Sequence, residues 1–396
     1  MSWPLVSIGS VAKVASGYAF KSKDFEEIGS PIVRISNVKN GSVDLTKVAR
    51  IPEEKLNKGK RFQIESGSLL IAMSGATTGK VGRYVPIDDE PAYLNQRVGK
   101  FVCNEELLDL NYLWFFTQSS ICQKQISFLA AGAAQPNISG SQIESIEIPL
   151  PPLETQKQIA TVLEKADQLR KDCQQMELEL NSLAQSVFID MFGDQLTSPH
   201  DVLGNVSNVV SGVTKGQKHN NKVIVKVPYM RVANVQAGYL NLNEIKEIEV
   251  KESDVEKYKL EVGDVLLTEG GDHDKLGRGA IWNGEVDNCI HQNHVFRVRL
   301  DTELYTSQWF NGYLKTDFAK RYFLKCAKKT TNLASINITQ LKGLPMPDID
   351  IKEQVRFEKI ITSINSQMLS NTELAHQYDE NFNALMQKAF KGELNL

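Results

Sequence analysis

The chain has 396 residues, 41% of them hydrophobic and 23% charged, with a formal net charge of −3. That length implies two or more domains, each able to bury its own core, and the composition excludes a disordered chain. Five scattered cysteines without CxxC spacing, no basic leader and no long apolar run exclude a disulfide frame, a secretory signal and a membrane span, so a cytoplasmic protein with reduced thiols is expected.

In chain order, residues 1–150 read as a mixed α/β body with a strand at Ser68–Met73, Gly-rich turns and a helical stretch at 107–128. The proline-rich Ile148-Pro-Leu-Pro-Pro152 closes it, and a first long helix is expected over 151–194. A second body, 195–347, repeats the pattern with strands at Val265–Thr268 and His294–Leu300 and a helical stretch at 303–326. Leu344-Pro-Met-Pro347 then leads into a second long helix over 348–396.

The bodies are copies. Pro31-Ile-Val-Arg34-Ile-Ser-Asn37 returns as Pro228-Tyr-Met-Arg231-Val-Ala-Asn234, and Gly41 as Gly238. Gly67 and Gly75 answer to Gly263 and Gly271, Pro149-Leu-Pro151 to Pro345-Met-Pro347, Gln158 to Gln354, and Asn137-Ile-Ser to Asn337-Ile-Thr.

Ile159, Val162, Ala166, Leu169, Cys173, Met176, Leu180, Leu183 and Val187 alternate steps of three and four, the spacing of a coiled-coil seam. Phe357, Ile361, Ile364, Met368, Asn371, Ala375, Tyr378, Phe382, Leu385 and Ala389 form a second, with Asn371 as its polar interruption. Each helix could pack on its own body, but two matched seams favour pairing with each other. The short course of the chain makes that pair antiparallel, with an internal pseudo-twofold. The 28 steps from Ile159 to Val187 span roughly 42 Å at about 1.5 Å each, close to one DNA turn of about 34–36 Å. The helices at 151–194 and 348–396 carry −4 and −3, so with −3 overall the bodies together carry +4, a distribution compatible with DNA.

Ser74-Gly-Ala-Thr-Thr-Gly-Lys80 resembles a phosphate loop but has three residues between its glycines and Val81 after the lysine, so a strand-to-strand loop is expected. Thr77, Thr78, Lys80 and Arg83 remain candidate DNA contacts. Its counterpart offers Asp272, His273, Lys275 and Arg278, a different set of donors and acceptors. His273 between Asp272 and Asp274 has no further ligands at metal spacing, so no metal is expected. Gln96 and Arg97 match Gln292, Asn293 and His294, side chains able to read base edges or to satisfy a strand end. Lys215, Lys218, His219 and Lys222, and Lys328, Lys329 and Asn332, suit phosphates, as do Lys21 and Lys23 in the first copy beside Gln135 and Asn137. A solvated loop is the alternative for each. The sequence shows no adenine-methylation motif, dinucleotide fingerprint or nucleophile constellation, which favours a binder over an enzyme.

The tandem bodies, the Pro-x-Pro segments with Gln158 or Gln354, the closing Ala384-Leu-Met-Gln-Lys-Ala-Phe390-Lys-Gly392 and its echo Ala184-Gln-Ser-Val-Phe188-Ile-Asp-Met-Phe192-Gly193 resemble the specificity subunits of type I restriction-modification systems. The resemblance covers essentially the full length. It implies two target-recognition domains, each reading half of a bipartite site on double-stranded DNA. It also implies helices that set the gap and dock two methyltransferase subunits, with two restriction subunits joining in the nuclease. S-adenosylmethionine, ATP and magnesium would then act on those partners and not on this chain. A protein-binding coiled-coil scaffold is the alternative.

Overall fold

The computed structural model describes residues 3–87, 90–131, 135–216, 223–271, 276–329 and 334–394, and the described chain forms two compact units. One comprises Met1–Cys173 with Leu374–Leu396, the other Gln174–Glu373, so the division cuts both long helices.

In the first unit the main sheet runs in the order Ala12–Ser16, Val98–Cys103, Leu69–Ala72, Val81–Arg83, Gly41–Ser42. The strand Leu69–Ala72 is buried throughout because it has cores on both faces. Leu69 and Ile71 point into a cluster with helix side chains, while Leu70 and Ala72 point toward Val33, Tyr84 and Leu94. A smaller sheet, Ala49–Ile51, Ser30–Val33, Tyr93–Leu94, stands beside it.

The second unit repeats this plan. Its main sheet is Ser207–Ser211, Val295–Leu300, Val265–Thr268, Gly279–Ile281, and its smaller sheet is Lys246–Lys251, Ile224–Met230, Ile290–His291. An added sheet of Gly270–Gly271, Ala334–Ser335 and Lys328–Lys329 is found in this unit. The strand expectations at 68–73, 265–268 and 294–300 hold to within a residue or two. Each expected helical stretch is instead broken in two: Leu110–Gln118 and Ser120–Leu129, then Ser307–Leu314 and Asp317–Cys326. Ser119 and Thr316 cause the breaks, because their side chains accept from Cys122 and Ala319 N–H and start new helices.

The repeated asparagines explain why the Pro31 motif recurs. Asn37 accepts from Arg34 N–H and donates to Asp44 and Lys47 carbonyls; Asn234 accepts from Arg231 N–H and donates to Asn241 and Glu244 carbonyls. Both are buried, so each is a loop clamp.

The long helices are Leu153–Phe192 and Ile351–Lys391. Each begins with a buried glutamine in its first turn. Gln156 donates to Leu107 and Pro151 carbonyls and accepts from Asp109 N–H; Gln354 donates to Leu304 and Ile349 carbonyls and accepts from Thr306 N–H. The partner of Gln354 is therefore Gln156, and the expected Gln158 is exposed. The other late matches slip by two as well. Pro149 answers to Pro347, since each lies seven residues before its buried glutamine, and Ser139 answers to Asn337, since both close capping boxes.

The second seam is as expected, with none of its ten positions exposed. In the first, Leu169, Met176 and Leu183 are 44–48% exposed. Buried Leu163, Phe188 and Phe192 complete the stripe in their place, because toward its end this helix buries every fourth residue and not a strict heptad position. Within the first unit Arg170 pairs with Asp379 and stacks on Phe382; within the second Phe188 and Phe192 meet Phe357. The same residues also enter the body cores, so packing on a body and helix pairing occur together.

Gln156→Leu would strand two carbonyls and one N–H and is expected to cost about 3 kcal/mol, whereas Gln158→Ala should stay within about 0.5 kcal/mol. Urea denaturation of both variants checks the register; equal effects would refute it.

Candidate nucleic-acid interface

Three segments converge at one rim of each body, held by the same hydrogen bonds. In the first body Met73 N–H donates to Arg97 O (3.0 Å), Ile138 N–H to Met73 O (2.9 Å), and Gly75 N–H to Pro136 O (3.0 Å). In the second body Glu269 N–H donates to His294 O (3.0 Å) and Ile336 N–H to Glu269 O (2.8 Å), while Gly270 and Gly271 pair with Ser335 and Ala334. The structure thus brings together Thr77 and Thr78 with Arg97, Gln135 and Asn137, and His294 with the strands that hold Lys328 and Lys329.

A fourth segment supports each rim from behind. Tyr18 bridges Asn95 and Val213 bridges Gln292, which requires the preceding residue to pass close to the neighbouring chain. A Cβ at Gly17 would lie 2.1 Å from Leu94 O, and one at Gly212 would lie 2.0 Å from His291 O, so no other residue fits.

Exposure separates the expected contacts. Gln96, Arg97, Gln135, Asn137, Lys215, His294 and Lys328 are exposed, while Gln292 and Asn293 are half-buried. Lys21 and Lys23 are also exposed, beside the turn Ser22–Asp24, and no bond among the described residues ties them to the rim. Thr77, Thr78, Lys80 and Arg83 are half-buried instead of exposed. Thr77 donates to Ile35 O and Thr78 to Gly75 and Pro136 carbonyls, so both hydroxyls brace the loop. Arg83 donates to Asn111 and stacks over Trp114; Arg278 donates to Gln236. Lys218, His219, Lys222, Asp272, His273, Lys275 and Asn332 lie outside the described residues.

The strands that lead away from the second rim carry a buried polar network that composition did not reveal. Arg299 grips Asp264 with two bonds (2.8 and 2.9 Å), and Arg297 donates to Lys259 O (3.0 Å). His291, fully buried, bonds through Nδ1 to Val295 O (2.7 Å) and so closes the turn carrying Gln292, Asn293 and His294. Its Nε2 has no partner. Burial pushes its pKa down to about 4, helped by the Arg297 and Arg299 charges and opposed by the Val295 bond and Asp264. The equivalent position in the first body is Leu94, which has nothing to titrate.

Residues 2–180 match the family described as the type I restriction modification DNA specificity domain. The type I restriction enzyme EcoKI specificity subunit of Escherichia coli K12 is 25% identical over 427 residues, covering 99% of this chain and 89% of that protein. The MjaVIII specificity subunit of Methanocaldococcus jannaschii is 36% identical over 182 residues, 44% of this chain and 43% of that one. The crystal structure of the type I S subunit from M. genitalium superposes with a TM-score of 0.57 at 18% identity, covering 98% of this chain and 96% of that one, which supports the fold. Two copies of one mixed α/β body, each followed by a long helix, define a tandem-repeat α/β fold. Residues 2–180 match that specificity domain, and over nearly its full length the chain is similar to specificity subunits of type I restriction-modification systems.

His291 binds its proton in the unfolded chain near pH 6.5 but in the fold only near pH 4, so stability falls as pH drops through that window, by up to about 3 kcal/mol. Chemical denaturation from pH 7 to 4 should show the loss, and His291→Leu should flatten that part of the profile. An unchanged slope would remove His291 as its cause.

Proposed function

We propose that this chain is the sequence-reading, non-catalytic subunit of a type I restriction-modification complex. The observation that carries this is the repeated rim: one backbone frame, built twice, presents Arg97, Gln96 and Asn137 in one copy and His294, Gln292 and Glu269 in the other. A scaffold for protein alone has no use for two rims so alike in frame and so unlike in side chains, and the similarity to type I specificity subunits favours DNA. The roles assigned are 1–150 and 195–347 as recognition domains, and 151–194 and 348–396 as spacers that set the gap and dock two methyltransferase subunits. Two restriction subunits complete the nuclease.

Methyl transfer and ATP hydrolysis belong to those partners. Work on DNA assigns the chain to the cytoplasm; among the described residues no helix is long and apolar enough to cross a membrane. Exposed Lys215 and Lys328 supply phosphate contacts whose loss should lower the salt dependence of binding.

Methylation mapping of host DNA, with the methyltransferase subunits co-expressed, should yield one bipartite asymmetric motif that vanishes when this chain is omitted; methylation without sequence preference would sink the reading. Deleting seven residues from each long helix removes about 10 Å and should shorten the gap by about three base pairs. An unchanged gap would refute the spacer role.

A further inference from the structure

The two rims can be matched residue by residue, because the hydrogen bond from Met73 N–H to Arg97 O recurs from Glu269 N–H to His294 O. Position 73/269 is thus buried methionine in one body and a partly exposed glutamate in the other, and position 97/294 is arginine or histidine. Each rim carries one charged side chain steadied by a neighbour. Arg97 Nη1 lies 3.4 Å from Asn137 Oδ1, and Glu269 Oε2 lies 2.6 Å from His294 Nδ1.

The other arginines near these rims are engaged by the protein itself: Arg83 by Asn111 and Trp114, Arg278 by Gln236, Arg231 by Glu244 and Arg34 by the Phe25 ring. Among the described residues neither Arg97 nor Glu269 has a further side-chain partner, so the remaining guanidinium N–H groups of Arg97 and Oε1 of Glu269 are open to a ligand. A side chain already held by a neighbour loses less freedom on binding than a free one.

We propose that Arg97 and Glu269 each set one base of their half-site. Arg97, steadied by Asn137, donates to the O6 and N7 acceptors of a guanine; Glu269, steadied by His294, accepts from the exocyclic amino group of a cytosine. The two bodies share a backbone frame yet call for different bases because the charge at the centre of the rim is reversed. This inference rests on the DNA-reading function proposed above and adds the residues that carry the discrimination.

Methylation mapping with the intact complex separates the two claims. If the unsubstituted complex yields no bipartite motif, the DNA-reading proposal itself fails. Where it does, R97A should relax one guanine position in one half-site, and E269Q one cytosine position in the other, each by roughly tenfold or more in preference. Gln can pair with adenine, so E269Q should also admit that base. R97K keeps the charge but loses the fork and should relax the same position as R97A. A motif unchanged in R97K or E269Q overturns the assignment, as does uniform weakening with every base preference intact, the mark of a phosphate or purely structural role. E269Q preserves the side chain's shape, so the test stands even where R97A lowers the yield of folded protein.

Discussion

Each long helix ends in an aromatic ring that belongs to the core of the body it did not start from. Phe192, at the end of the first helix, meets Trp309 and Phe357; Phe390, near the end of the second, sits between Tyr112 and Phe116. Tyr112 and Trp309 are equivalent residues, so the same socket is filled twice by reciprocal exchange. The beginnings are fixed just as firmly by Gln156 and Gln354, whose amides tie the helix to the turn that caps the aromatic helix of its own body. Every long helix is thus bound at its start by buried hydrogen bonds and at its finish by ring packing, and the rims are carried by sheets whose cores these helices complete.

That arrangement separates what must stay constant from what varies. The central strands Leu69–Ala72 and Val265–Thr268 are apolar on both sides and tolerate little change. The turns at their ends carry the differences, held by backbone bonds that ask nothing of side-chain identity beyond Gly17 and Gly212. A frame of this kind lets new specificity arise by substitution at the rim without cost to the core.

Much of this was legible in the sequence because duplication states the plan twice. The Asn37 and Asn234 matches marked loop clamps, and the second seam was correct at every position, since apolar spacing reports burial directly. The misses have physical reasons. The late repeats slipped by two because prolines and glutamines near 150 look interchangeable as letters, and only hydrogen bonds distinguish buried Gln156 from exposed Gln158. Leu169, Met176 and Leu183 satisfied a heptad, yet the helix near its end turns toward a body and buries a different face. Arg83 had the chemistry of a DNA contact but sits where Trp114 and Asn111 engage it. Glu269 did not stand out from its loop because its equivalent, Met73, is apolar; the Gly75 and Gly271 match aligns the two, and a shared backbone bond shows that they occupy one place.

The reciprocal sockets also bear on the order in which the molecule can be assembled. Tyr112 and Phe116 are made early, but the ring that covers them arrives with residue 390. During synthesis the first body must therefore wait with an open aromatic patch while some 270 residues follow, a period in which such surface is prone to wrong associations. The second body waits for nothing upstream, since Phe188 and Phe192 precede it in the chain. Two halves alike in design thus have unlike histories: one is sealed as it emerges, and the other stays unsealed until the whole chain is present to close it.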